Sequence, residues 1–129
     1  MAKDSVYNAA SVIRNITDKD IKDYDIHVNV IGGGKIDGPS AGAAITLCII
    51  SSLLKKPIRQ DIAVTGEISL QGKIKPVGGI FEKIYGAKRM GINLVLIPKD
   101  NEKEIPINNS GIEVKAIESI NELMEIAFN

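Results

Sequence analysis

Asp37-Gly38-Pro39-Ser40-Ala41-Gly42-Ala43-Ala44 opens the most informative stretch of the chain, and the apolar run that begins inside it, Ala41 to Leu54, is interrupted only by Thr46, Ser51 and Ser52. A helix that spans a bilayer needs roughly 20 apolar residues. The run has 14, so it predicts a helix buried in the core of a water-soluble domain. Pro39 suits the first turn of that helix, where its missing N–H would have no partner in any case. Ser40 is thereby expected in the first helical turn, among backbone N–H groups that lack intrahelical acceptors. Cys48 lies within the run and reads as a small buried hydrophobe.

Upstream, Val6, Ala9, Ala10 and Ile13 fall at helical spacing, which predicts a helix from Asp4 to about Asn15 with Asp4 or Ser5 as its cap. Tyr24 to Ile31 alternates, with Tyr24, Ile26, Val28 and Val30 on one face, and predicts a strand. Gly32, Gly33 and Gly34 connect it to the quoted stretch. Downstream, Ile62 to Leu70 has strand composition, and Gln71-Gly72 turns it into a second strand, Lys73 to Val77. Gly78-Gly79 precedes a helix from about Ile80 to Met90, which Gly91 closes. Asn93 to Ile97 reads as a buried strand, then a charged loop, a strand at about Ile112 to Ile117 and a last helix from Ser119. Helices and strands alternate without a repeat. The fold class is α/β or α+β, with small mixed sheets packed by helices.

At 129 residues the chain predicts one domain, spanning 1–129, large enough to fold on its own core. Lys plus Arg and Asp plus Glu are 16 each, so there is no global field to attract nucleic acid or an acidic membrane. A single cysteine excludes an intrachain disulfide and suits a reducing compartment, here expected to be the cytoplasm. There is no basic segment running into an apolar stretch at the start of the sequence, so neither a signal peptide nor a membrane segment is expected. No cluster of Cys, His and carboxylates has zinc spacing. Gly34-Lys35 invites comparison with a phosphate loop, but Ile36 stands where that loop needs Ser or Thr.

The chemistry is sought at Ser40. Unpartnered backbone N–H groups at a helix start, aligned with the helix dipole, suit a developing oxyanion. A serine hydroxyl needs a base, and His27, the only histidine, sits on the expected strand with no legible partner. Lysine is the alternative. Lys83 lies between Ile80, Ile84 and Ala87 on the apolar stripe of its helix, and burial of a lysine favours its neutral, proton-accepting form. Thr65, just before Gly66-Glu67, is placed to hold such an amine by a hydrogen bond.

Five motifs in order carry a resemblance: Asp37-Gly38-Pro39-Ser40-Ala41-Gly42; Thr65-Gly66-Glu67-Ile68; Gly72 through Gly79; Glu82-Lys83; and Leu96-Ile97-Pro98-Lys99-Asp100-Asn101. With their spacing, including 43 residues from Ser40 to Lys83, they closely resemble the Lon protease domain over roughly residues 24 to 105. The resemblance implies a serine endopeptidase in which Ser40 attacks the peptide carbonyl and Lys83 is the base. Thr65 would hydrogen-bond the lysine and Asp37 would border the site and help switch its geometry, with Ala41 and Glu67 as further supporting residues. The chain departs from many members at His27-Val28-Asn29, where they carry His-x-His, and in a glycine loop about one residue shorter.

The same resemblance implies partners. Unfolded or damaged polypeptides would be the substrates, and an ATPase module of the same parent chain would bind ATP and magnesium, leaving no cofactor in this domain. The parent would be a homo-hexamer. The chain itself is expected to be a fragment or shortened form that lacks the first strands of the usual domain. The rival reading is a non-catalytic module of the same fold attached to an ATPase, as in DNA-repair and magnesium-chelatase-like proteins.

Overall fold

The computed structural model describes residues 2–27, 39–107 and 111–128, with side chains described from Tyr7 onward. Helix α1, Ala2–Thr17, is followed by a short 3-10 turn at Ile21–Asp23. Helix α2 is Gly42–Leu54. Strand β1, Ile62–Val64, is parallel to β4, Leu94–Pro98, and β4 is parallel to β5, Glu113–Ile117, giving a three-stranded sheet in the order β1-β4-β5. A separate antiparallel pair joins β2, Glu67–Ile68, to β3, Ile74–Lys75. Helix α3, Ile80–Arg89, lies between that pair and β4, and α4, Ile120–Ala127, closes the fold. The α/β reading with small mixed sheets therefore holds.

β4 organises the interior because both of its faces are covered. Leu94 and Leu96 enter one apolar cluster with Ile117, with Val12 and Ile13 of α1, with Leu47 and Ile50 of α2, and with Ile120 and Leu123 of α4. Val95 and Ile97 point the other way and meet Ile80, Ile84 and Ala87 of α3. All five residues of the strand are buried, as expected of a parallel strand with helices on both sides. Burying a side chain of this size stabilises the fold by about 1.5–3 kcal/mol, so β4 is the member whose loss costs most.

Several expectations need correction. Ile62 to Leu70 is not one strand: it breaks at Thr65-Gly66, with β1 on one side in one sheet and β2 on the other side in another. Space accounts for the break. A Cβ on Gly66 would stand 2.6 Å from Ile74 Cγ2, with Ala43 Cβ and Pro98 Cγ each at 3.6 Å, so only glycine lets α2, β3 and β4 converge there. Helix α1 already includes Asp4 and Ser5, so neither is its cap. Residues 24–27 form no strand and Tyr24 is exposed; the rest of that expected strand lies outside the described residues. Cys48 is exposed, not buried.

Other details agree. Ser69 to Lys73 makes the expected turn, closed by Gly72 N–H to Ser69 O at 3.0 Å and Ser69 N–H to Lys73 O at 3.0 Å. Gly91 has a φ of 76° just past the end of α3, the left-handed position that glycine fills without strain. Ser119 caps α4 by accepting from Glu122 N–H at 3.3 Å.

Candidate active site

The site gathers at the C-terminal ends of β1 and β4, the edge where open parallel sheets carry their functional groups. Thr65 is the first residue beyond β1. Its N–H extends the ladder by donating to Leu96 O at 3.1 Å, and its side chain is buried. Thr65 Oγ1 accepts a hydrogen bond from Lys83 Nζ at 3.1 Å. Lys83 is half-buried between Ile80 and Ile84, both buried, so its stem runs along apolar surface. Among the described residues it forms no ion pair.

The main chain of Ser40 is bonded to Gly66, the residue after Thr65. Expected in the first turn of α2, the serine lies instead in a tight turn two residues before the helix starts, because Gly42 N–H donates to Pro39 O at 3.0 Å and regular helical bonding begins only after that. Gly66 holds the turn through its main chain. Its N–H donates to Ser40 O at 2.9 Å, and its carbonyl accepts from Ala43 N–H at 3.0 Å. The serine turn and the lysine amine are thus bound to two consecutive residues, 66 and 65. Gly42 and Ala43 spend their N–H groups internally. Among the described residues, no hydrogen bond takes up the N–H groups of Ser40 and Ala41, the latter standing at the N-cap of α2.

The remaining expected site residues sort differently. Glu67 is half-buried on β2 and stands opposite Lys75 of β3. Asp37 lies outside the described residues, as do Gly32, Gly33, Gly34 and Lys35. His27 is exposed.

One contributor escaped the sequence reading. Asn101, in the 3-10 helix Lys99–Glu104 that follows β4, is 4% exposed, and its amide binds both backbone groups of Val77. Oδ1 accepts from Val77 N–H at 3.0 Å and Nδ2 donates to Val77 O at 2.9 Å, while Nδ2 also donates to Glu104 Oε2. Its place in the Pro98-Lys99-Asp100-Asn101 motif was visible. Its partner, 24 residues away in sequence, was not.

Fold and site together define an α/β domain with a serine turn, a buried threonine and a half-buried lysine assembled at one sheet edge. The chain belongs to the Lon protease (S16) C-terminal proteolytic domain family, which matches residues 1–129. It is 46% identical over 125 residues to Lon protease 2 of Bacillus subtilis, covering 97% of this chain and 22% of that protein. It is 38% identical over 131 residues to the archaeal Lon protease of Pyrococcus abyssi, covering 98% of this chain and 13% of that one. With Lon protease of Haemophilus influenzae the figures are 43% over 136 residues, 97% and 17%. The chain spans less than a quarter of the length of these relatives. Among the described residues no helix is long and apolar enough to cross a membrane.

Proposed function

We propose that this chain is the peptide-hydrolysing domain of an ATP-dependent Lon protease, with Ser40 as nucleophile and Lys83 as general base. The observation that carries the reading is the double attachment at Thr65-Gly66: lysine amine to Thr65 Oγ1 at 3.1 Å and Ser40 carbonyl to Gly66 N–H at 2.9 Å. A neutral amine that donates one N–H to Thr65 keeps its lone pair for the serine proton. Ser40 Oγ then attacks the scissile carbonyl as Lys83 takes that proton. The oxyanion settles against the N–H groups of Ser40 and Ala41 at the positive end of α2. Collapse of the tetrahedral intermediate expels the amine, which receives the proton from Lys83, and leaves an acyl-serine. Water, deprotonated by the same lysine, releases the acid and restores Ser40.

Asp37 borders the site in this reading and Glu67 supports it from β2. The domain, residues 1–129, works within a longer chain whose ATPase module binds ATP and magnesium and feeds it unfolded polypeptides, in a cytoplasmic homo-hexamer. A serine-directed fluorophosphonate followed by mass spectrometry tests the dyad in the full-length protein. The adduct is expected on Ser40, with labelling and peptide turnover falling roughly 10²–10⁴-fold in Lys83→Ala. Lys83→Arg is expected to be equally damaging, because arginine does not release its proton at working pH. Full turnover in Lys83→Arg would assign the base to another group.

A further inference from the structure

Helix α3 carries Lys83, yet its start is loosely built. Gly78 and Gly79 lead into it, both exposed; a Cβ on Gly78 would meet nothing within 4 Å, and Gly79 adopts a φ of 69°. No side chain caps the helix. Two consecutive glycines impose little torsional restraint, so the backbone entering the helix is fixed on one side by Val77 and on the other by the burial of Ile80 against Val95 and Ile97 of β4. Lys83 is joined directly to the glycine pair, since its N–H donates to Gly79 O at 3.0 Å in the first turn and a Cβ on Gly79 would come within 3.9 Å of Lys83 Cε.

Asn101 fixes Val77. A carboxamide that accepts from a residue's N–H and donates to its carbonyl imitates a neighbouring strand and leaves neither backbone group free to turn. Its own orientation is set by Glu104, which accepts only from Nδ2. Asn101 in turn lies in the 3-10 helix that follows directly on β4, the most buried of the described strands. A line of contacts therefore runs from β4 through Asn101 and Val77 to the glycine pair and Lys83, while Thr65 grips the far end of the lysine.

We propose that Asn101 is a positioning residue for Lys83: by binding both backbone groups of Val77 it fixes the origin of the lysine-bearing helix relative to the β1–β4 edge that holds Thr65 and the Ser40 turn. The inference rests on the assignment of Lys83 as base. It follows that disturbing Asn101 impairs proton transfer and leaves substrate binding alone.

The test uses peptide turnover and fluorophosphonate labelling of Ser40 in the full-length protein. Asn101→Ala is expected to lower kcat by on the order of 10–100-fold with KM little changed, the loss that a misplacement of about 1 Å can produce. Asn101→Asp keeps the shape and the acceptor to Val77 N–H but sets an oxygen against both Val77 O and the Glu104 carboxylate; it is expected to melt lower than the wild type, to remain folded by circular dichroism at the assay temperature, and to lose kcat similarly. Unchanged kcat in a folded Asn101→Asp would overturn the proposal. The deciding measurement is made in a Lys83→Ala background, where Asn101→Asp is expected to produce no further fall in Ser40 labelling. A further fall there, as large as in the parent, would show that Asn101 acts on the fold in general. If Lys83→Ala alone left labelling intact, the dyad itself would fail, an outcome separate from either result at Asn101.

Discussion

The two ends of the β1–β4 pair are built from similar polar residues and serve different purposes. At the C-terminal end, Thr65, Gly66 and Asn101 use their hydrogen bonds to hold other segments: the lysine, the serine turn and the loop before α3. At the N-terminal end, Arg59, Asp61 and Asn93 are bonded chiefly to one another. Arg59 binds Asp61 through two nitrogens at 3.0 and 2.8 Å, Asn93 Nδ2 donates to Asp61 at 3.3 Å, and Asp61 O accepts from Asn93 N–H at 3.0 Å. One end reaches outward to set the geometry of groups borne on other elements. The other joins its side chains to one another and fastens β1 to β4, with main-chain bonds from Arg59 N–H to Ala127 O of α4 at 2.9 Å and from Glu113 N–H of β5 to Asn93 O at 2.9 Å. Changes at the first should therefore register in turnover, and changes at the second in stability.

The largest effect that separates the two ends is expected from Thr65→Val. It keeps the shape of the side chain and removes the oxygen that Lys83 Nζ binds. Losing an orienting hydrogen bond of about 1 kcal/mol or somewhat more corresponds to on the order of a 10-fold loss in kcat. The melting transition is expected to stay close to that of the wild type, and Thr65→Ser, which keeps the oxygen, should retain most of the turnover. Wild-type kcat in a folded Thr65→Val would mean that the contact does not serve the reaction.

Gly66→Ala sharpens the comparison because it should disturb both properties at once. The added methyl would sit 2.6 Å from Ile74 Cγ2, and overpacking of this kind costs about 1–3 kcal/mol. It also displaces the peptide that holds Ser40 and Ala43. Ile74→Leu removes the offending branch at nearly constant volume, so the double variant Gly66→Ala/Ile74→Leu should recover stability relative to Gly66→Ala alone. Thermal unfolding measured beside peptide turnover decides it. No recovery in the double variant would place the strain somewhere other than the Ile74 contact.

Gly66 also marks where sequence reading stopped. The helices were legible because their apolar residues recur at helical spacing and their ends carry glycine or serine, as at Gly91 and Ser119. β4 was legible as a short, wholly apolar run. Ile62 to Leu70 was misread as one strand because strand composition is continuous across Thr65-Gly66; only the isolated glycine hinted at a close approach. Cys48 was misplaced for a related reason. α2 is apolar nearly all round, so periodicity does not say which flank faces out. At the site, residue types and spacing pointed to Ser40, Thr65 and Lys83, and the contact of Lys83 with Thr65 bears out the expected hydrogen bond. Asn101 is bound to backbone groups, whose positions no pattern of side chains reveals.

The smallest effect belongs to the N-terminal end and concerns acid. Arg59, followed by Asn93, holds the Asp61 carboxyl down from an ordinary 3.8 to about 2 through hydrogen bonds to its charged form. A carboxyl whose value is depressed by folding contributes stability that is present above the unfolded value. That contribution is lost as the pH falls from about 4 towards 2, where the folded state also takes up the proton. The group is solvent-exposed, and screening keeps such pairs weak. Asp61→Asn should therefore lower the melting temperature slightly at neutral pH and narrow the gap to wild type as the solution is acidified through that window. Turnover at neutral pH should be unchanged, since the pair touches nothing at the opposite edge. A clear loss of kcat in Asp61→Asn, with the melting temperature intact, would show that the two ends are coupled and that the division of labour between them is wrong.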